Sequence, residues 1–209
     1  MSGQPAAEPG EIEWSFYGAE FDTRLFEIWI LGQLRMRLLR AIGADDEPWD
    51  YFSDGPAIDA VSTGGVRIRL VHQTSMRKLR GDRLALRWRR SSSKPLGEIP
   101  DFLVALDFGG SELTLVLDAK LRRRKGAPTE EIYKLLGYFN NYGLDGDGAG
   151  AIFYYAQTPD APALYEYQSD SGGAVVALSL DPERPDSSEA GWGAVIELVN
   201  SAVANMSTD

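Results

Sequence analysis

Asp101 and Asp118 are the first residues in this chain whose type and spacing suggest chemistry. They bracket PDFLVALDFGGSELTLVLDAK, residues 100–120, which reads as a β-hairpin turning at Gly109-Gly110. A two-residue loop pairs Phe108 with Ser111, and opposed residues on the two strands then keep a constant sum of their numbers. Asp101 and Asp118 satisfy that sum, so the hairpin sets them across from one another. Side chains alternate along a strand, so Lys120 points the same way as Asp118. The opposite face carries Phe102, Val104, Leu106, Phe108, Leu113, Leu115, Leu117 and Ala119, an uninterrupted core face.

Like charges opposed across two strands cost roughly 0.2–1 kcal/mol when solvated, and more when partly buried. Three arrangements offset that cost: one carboxyl is protonated, Lys120 neutralises the pair, or a divalent cation binds both. Magnesium prefers the last arrangement, taking one or two carboxylates with waters and phosphate oxygens. A third carboxylate comes from the helix expected over Phe21 to Ile42, with Gly43 as its stop. There Glu27 lines up with Leu31, Leu34 and Leu38, on the stripe that packs against the sheet. The same position also suits a helix-edge Glu that reaches solvent or caps a neighbour.

Composition removes several alternatives. The chain has 209 residues, no Cys and one His, so thiol catalysis, disulfides and Cys/His zinc sites are excluded. His72 lies in an apparent strand, VRIRLVHQ, with no G-x-S-x-G elbow to make it part of a serine triad, and it reads as a strand residue satisfied by a local hydrogen bond. There is no P-loop. No apolar run spans a bilayer, and the first residues lack a signal-peptide core, so a cytoplasmic location is expected, with no membrane partner.

The net charge is −10, yet 15 of the 21 Lys and Arg residues lie between Val66 and Lys125. That block flanks the hairpin on both sides, and Arg77, Lys78, Arg80, Arg122, Arg123, Arg124 and Lys125 are its candidates for contact with a polyanion. A solvated basic face is the plainer reading of the same residues.

Residues 1–12 read as a disordered leader. Strands are expected at Val66 to His72 and Leu84 to Trp88, separated by a basic loop, and then in the hairpin. Thr129 is the expected N-cap of a helix running to about Tyr142, with Glu130 and Glu131 in its first turn. AIFYYAQ, LYEYQ and AVVALSL read as strands, and a last amphipathic helix carries Trp192, Ile196, Val199 and Val203. The fold class is α/β with a mixed sheet (α+β): a core over residues 13–160 and a strand-strand-helix extension over 161–209 packed on the same domain.

Pro100-Asp101 followed by Asp118-Ala119-Lys120 resembles the PD-(D/E)XK nuclease superfamily of restriction-endonuclease-like proteins. The order of helix, hairpin, helix and strand from about Phe21 to Gln157 is similar to that family's αβββαβ core. LFEIWIL, PDFLVAL, LVLDAK and EEIYKLLGYF are similar to segments of the nuclease subunits of McrBC-type restriction systems, the McrC-type proteins and their relatives. Ile99 stands where that group often has Arg, and Glu131 where it has Asp. The last fifty residues lie outside the resemblance.

The resemblance implies metal-dependent hydrolysis of DNA in a defence or restriction setting. By it, Asp101, Asp118 and the Ala119 carbonyl bind Mg²⁺, with Mn²⁺ as a substitute. Glu27 acts on the metal through water or positions the nucleophile. Lys120 orients the attacking water and stabilises charge on the phosphate, and Lys134 occupies an auxiliary position. Nucleic acid is the implied partner, with other protein subunits for targeting and a possible homo-oligomer. The rival readings are a nuclease-fold module that binds nucleic acid or a partner without cutting, and a small structural subunit whose basic face docks a protein.

Overall fold

The computed structural model describes residues 19–45, 48–50, 55–81, 86–88, 99–124, 126–144, 148–156, 164–184 and 188–206. The leader, the first part of the Leu84–Trp88 stretch, Lys125, and the side chains of Arg122, Arg123 and Arg124 lie outside them.

Helix α1 runs from Ala19 to Ile42. It buries Ile30, Leu31, Leu34 and Leu38 at helical spacing, with Glu27 in the same stripe. Gly43 adopts a φ of 67° just past its end. There the Gly43 N–H bonds the Arg40 carbonyl and the Ala44 N–H bonds that of Leu39, satisfying last-turn acceptors.

Seven strands form one sheet: β1 (Ile58–Val61), β2 (Arg67–His72), β3 (Phe102–Phe108), β4 (Ser111–Arg124), β5 (Ala149–Ala156), β6 (Leu164–Gln168) and β7 (Ala174–Leu180). Their spatial order is β1-β2-β3-β4-β5-β7-β6. Strands β1 to β4 make an antiparallel meander. Strand β5 lies parallel to both β4 and β7, and β6 closes the edge antiparallel to β7. The remaining described helices are α2 (Met76–Arg80), α3 (Thr129–Tyr142) and α4 (Glu189–Met206). This is a mixed α/β architecture whose C-terminal strands and helix belong to the same sheet and core. No described helix is long and apolar enough to cross a membrane.

Both faces of the sheet are buried, which explains the nearly continuous apolar runs in β3 and β5. One face packs Phe102, Val104, Leu115 and Leu117 against α1 and α4, with Trp192 at the centre. The other packs Leu103, Val116 and Ile152 under Leu135, Tyr138 and Phe139 of α3. The face assigned to the carboxylates in the sequence is therefore a second core face, filled by α3.

Three expectations are corrected. Leu86 to Trp88 is not a strand. Its backbone is spent on the end of α3, where the Arg87 N–H bonds the Asn141 carbonyl and the Trp88 N–H bonds Asn141 Oδ1. The extra strand is β1, a four-residue segment paired to β2 from Ile58–Leu70 to Val61–Arg67. The basic loop contains α2, capped by Ser75, whose hydroxyl accepts from the Lys78 N–H. Finally, Thr129 is the first residue of α3 rather than its cap. Pro128 holds the cap position without a side-chain bond, and Glu130 and Glu131 occupy the first turn as expected.

Candidate metal and catalytic site

The hairpin register is the one the sequence dictates. Phe108 pairs with Ser111, and the ladder continues in step to Phe102 opposite Leu117. Gly109 and Gly110 take φ values of 59° and 91°, as a primed two-residue turn requires. One residue further on, the β3–β4 ladder stops. On its other edge β4 stays paired, with Asp118 beside Ile152 of β5. Asp101 turns its carboxylate toward β4, and its Oδ2 accepts the Ala119 N–H at 2.8 Å. The strands thus part at the point where the two carboxylates meet.

Lys120 stands between them. Its Nζ donates to the Ala119 carbonyl at 2.8 Å and to Asp101 Oδ2 at 3.4 Å. It also pairs with Asp118 Oδ2 at 2.8 Å. Lys134, from α3, reaches to 3.7 Å from Asp118 Oδ1 and lies over the Tyr138 ring. Position 134 is exposed at the border of the buried stripe that carries Leu135 and Tyr138, and its side chain reaches back toward the sheet.

Asp118 is 1% exposed, and its oxygens lie against the ammonium groups of Lys120 and Lys134. Burial, reinforced by the negative charge of Asp101, pushes its carboxyl up to about 6 despite the opposing pull of Lys120 and Lys134. Burial alone would lower the Lys120 ammonium, but Asp118 and Asp101 outweigh it and the net shift is upward. Of the ways to offset the opposed carboxylates, Lys120 between them is one, and the raised Asp118 pKa brings a second, a protonated carboxyl, within reach of mildly acidic pH. Because Asp101 raises the Asp118 value, Asp101→Asn lowers it toward the ordinary carboxylate range. Carbon-detected NMR titration of the Asp118 carboxyl reads this directly.

Glu27 approaches from the opposite face of the sheet. It is 7% exposed and accepts from Gln73 Nε2 at 3.0 Å, and His72 Nε2 lies 3.5 Å from the same oxygen. His72 pairs with Phe102, which places its ring on the α1 side and 5.4 Å from the Phe102 ring. His72 thus makes a long-range contact to α1. Gln73 adopts a φ of 43°, alone among the described non-glycine residues in being positive, and its N–H donates to the Asp101 carbonyl. Sequence reasoning missed Gln73, since nothing in a polar residue after a strand marks either contact. Through it Glu27 is tied to the main chain of Asp101, and its carboxylate does not join the Asp101–Asp118 pair. Among the described residues no three of His, Asp and Glu form a group able to hold a metal ion.

The oxygens that do converge fit magnesium in kind. Asp101, Asp118 and the Ala119 carbonyl are hard ligands, and both Asp118 oxygens are buried against the ammonium groups of Lys120 and Lys134. Among the basic candidates, Arg77 and Lys78 are exposed on α2. Arg80 is engaged, with Nε donating to Thr114 Oγ1 at 2.8 Å and lying 3.9 Å from Glu112. Thr114 lies four residues toward the turn from Asp118, roughly 13 Å along the strand. No protein-family model and no curated protein matches the chain.

Proposed function

We propose that the chain is a Mg²⁺-dependent nuclease of the PD-(D/E)XK type, with a restriction-endonuclease-like core, that hydrolyses phosphodiester bonds in DNA. One observation carries the reading. A buried Asp118 carboxylate meets Asp101 and the Lys120 ammonium where two adjacent strands part. With the short β1 and α2 set aside, the succession α1, β2, β3, β4, α3, β5 supports it, because it follows the αβββαβ order of that family.

In this reading Asp101, Asp118 and the Ala119 carbonyl hold the ion, for which Mn²⁺ substitutes. When bound, the ion acidifies water and neutralises charge on the phosphate. Lys120 orients the attacking water and stabilises the charge that develops on the phosphoryl oxygens. Lys134 keeps the Asp118 carboxylate in its charged form from the α3 side. Glu27 sets the Asp101 end of the site through Gln73. Arg77, Lys78 and the Arg122–Lys125 run contact backbone phosphates, which makes affinity fall steeply with salt and carry no sequence preference. Choice of target then belongs to partner subunits, in keeping with a restriction or defence role.

The test is incubation of supercoiled plasmid and single-stranded DNA with the protein in millimolar Mg²⁺ or Mn²⁺, and in excess chelator. Cleavage that requires the metal supports the reading, and cleavage indifferent to chelator contradicts it. A second reading, a nuclease-fold module that binds without cutting, is favoured by the ammonium that already bridges both carboxylates. Salt-sensitive DNA binding without metal-dependent cleavage selects it.

A further inference from the structure

Lys120 Nζ touches three oxygens from three residues: Asp118 Oδ2 at 2.8 Å, the Ala119 carbonyl at 2.8 Å and Asp101 Oδ2 at 3.4 Å. These belong to the same three groups assigned above to the divalent ion. We propose that Lys120 is a tethered cation that fills the metal site, and that a divalent ion binds only by expelling its ammonium from these oxygens. The inference rests on the metal assignment made under Proposed function.

Exclusion follows from size and charge. Magnesium takes its oxygens at about 2.0–2.1 Å, so an ammonium in contact with the same oxygens would sit within a few ångströms of a dication. At that separation the dication repels the ammonium by more than one carboxylate attracts it. The dication's own attraction to the carboxylate is larger still, so the lysine is the cation that yields. The lysine can leave. Its four-carbon stem is flexible, and its side chain is a quarter exposed, whereas Asp118 is held in the core. Because the competitor is attached to the next residue but one, it acts at the high effective concentration of any short tether.

This account separates binding from turnover at a single residue. Lys120→Met keeps the apolar stem and removes the charge. It should bind Mn²⁺ about 10-fold or more tightly than wild type, the factor a tethered competitor imposes, while losing cleavage. Free Mn²⁺ is followed by electron paramagnetic resonance during titration of wild type, Lys120→Met and Asp118→Asn, without nucleic acid. Wild type also provides a second readout: Lys120 is slow to react with an amine-acylating reagent in chelator and faster in Mg²⁺, scored by peptide mass spectrometry. Tighter binding in Lys120→Met, metal-enhanced acylation and lost binding in Asp118→Asn support the inference. Equal or weaker binding in Lys120→Met, or acylation that Mg²⁺ leaves unchanged, overturns it while leaving the metal site standing. Failure of Mn²⁺ to bind either wild type or Lys120→Met, or unchanged binding in Asp118→Asn, overturns the metal assignment as well.

Discussion

On the nuclease reading, Lys120→Ala is expected to cleave plasmid DNA in Mg²⁺ about 10²–10³-fold more slowly than wild type, the usual cost of removing one group aimed at developing transition-state charge. Lys120 alone among the described cations lies within ion-pair distance of both Asp101 and Asp118. Lys134 reaches only Asp118, and only at 3.7 Å, so Lys134→Met loses less. Stability responds as well, and its sign depends on pH. The folded chain binds the Asp118 proton more tightly than the unfolded chain, because burial lifts that carboxyl from 3.8 to about 6. This group's contribution to stability therefore falls by about 3 kcal/mol as pH rises through that interval, and is level above it. Removing the Lys120 ammonium enlarges the fall. Lys120→Ala thus melts well below wild type at pH 8 and close to it at pH 5, where Asp118 is protonated. The pH dependence of the difference between wild type and Asp118→Asn isolates the same carboxyl from the other acids. Calorimetric melts of metal-free protein read both.

Gly150→Ala destabilises the fold by about 3 kcal/mol, lowering the melting temperature by about 6–12 °C. Gly150 lies in β5 opposite Val116 on one side and Val175 on the other. A Cβ there would stand 2.3 Å from the Val116 carbonyl oxygen, 3.0 Å from Leu135 and 3.1 Å from Phe139. The first of these is backbone in the middle of the sheet and cannot swing aside, so β4 or α3 has to move. Both carry the site: Val116 precedes Asp118 by two residues, and α3 supplies Lys134. Gly137→Ala is the matched control. Gly137 lies in α3 with nothing within 4 Å of the added methyl, so it stabilises by about 0.5–1 kcal/mol through helix propensity.

The hairpin was readable from sequence because a two-residue Gly-Gly turn fixes register, and register fixes which side chains share a face. From it came the meeting of Asp101, Asp118 and Lys120, and the α3 helix placed Lys134 beside them. What could not be read is where pairing stops. The β3–β4 ladder ends at Phe102 because Asp101 gives its carboxylate to the Ala119 N–H, a choice made by tertiary packing. Strand β1 escaped notice because IDAV is too short for alternation to register, and its partner β2 supplies most of its definition. The Leu84–Trp88 stretch carries strand-forming residues, yet Asn140 and Asn141 at the end of α3 take the polar groups of Arg87 and Trp88. The buried stripe of α1 predicted burial of Glu27. Its partners His72 and Gln73 are 45 and 46 residues away, beyond any local pattern.

The central claim is that Asp101 and Asp118 form a metal-dependent phosphodiesterase centre. Its most direct test is the initial rate of supercoiled plasmid cleavage in Mg²⁺ by wild type and Asp118→Ala, prepared identically and matched by circular dichroism. The account predicts metal-dependent cleavage by wild type and a rate for Asp118→Ala at least about 10³-fold lower, since both the ion's buried ligand and the Lys120 anchor are lost. Equal rates in the two preparations, or no Mg²⁺-dependent cleavage by wild type, would contradict it.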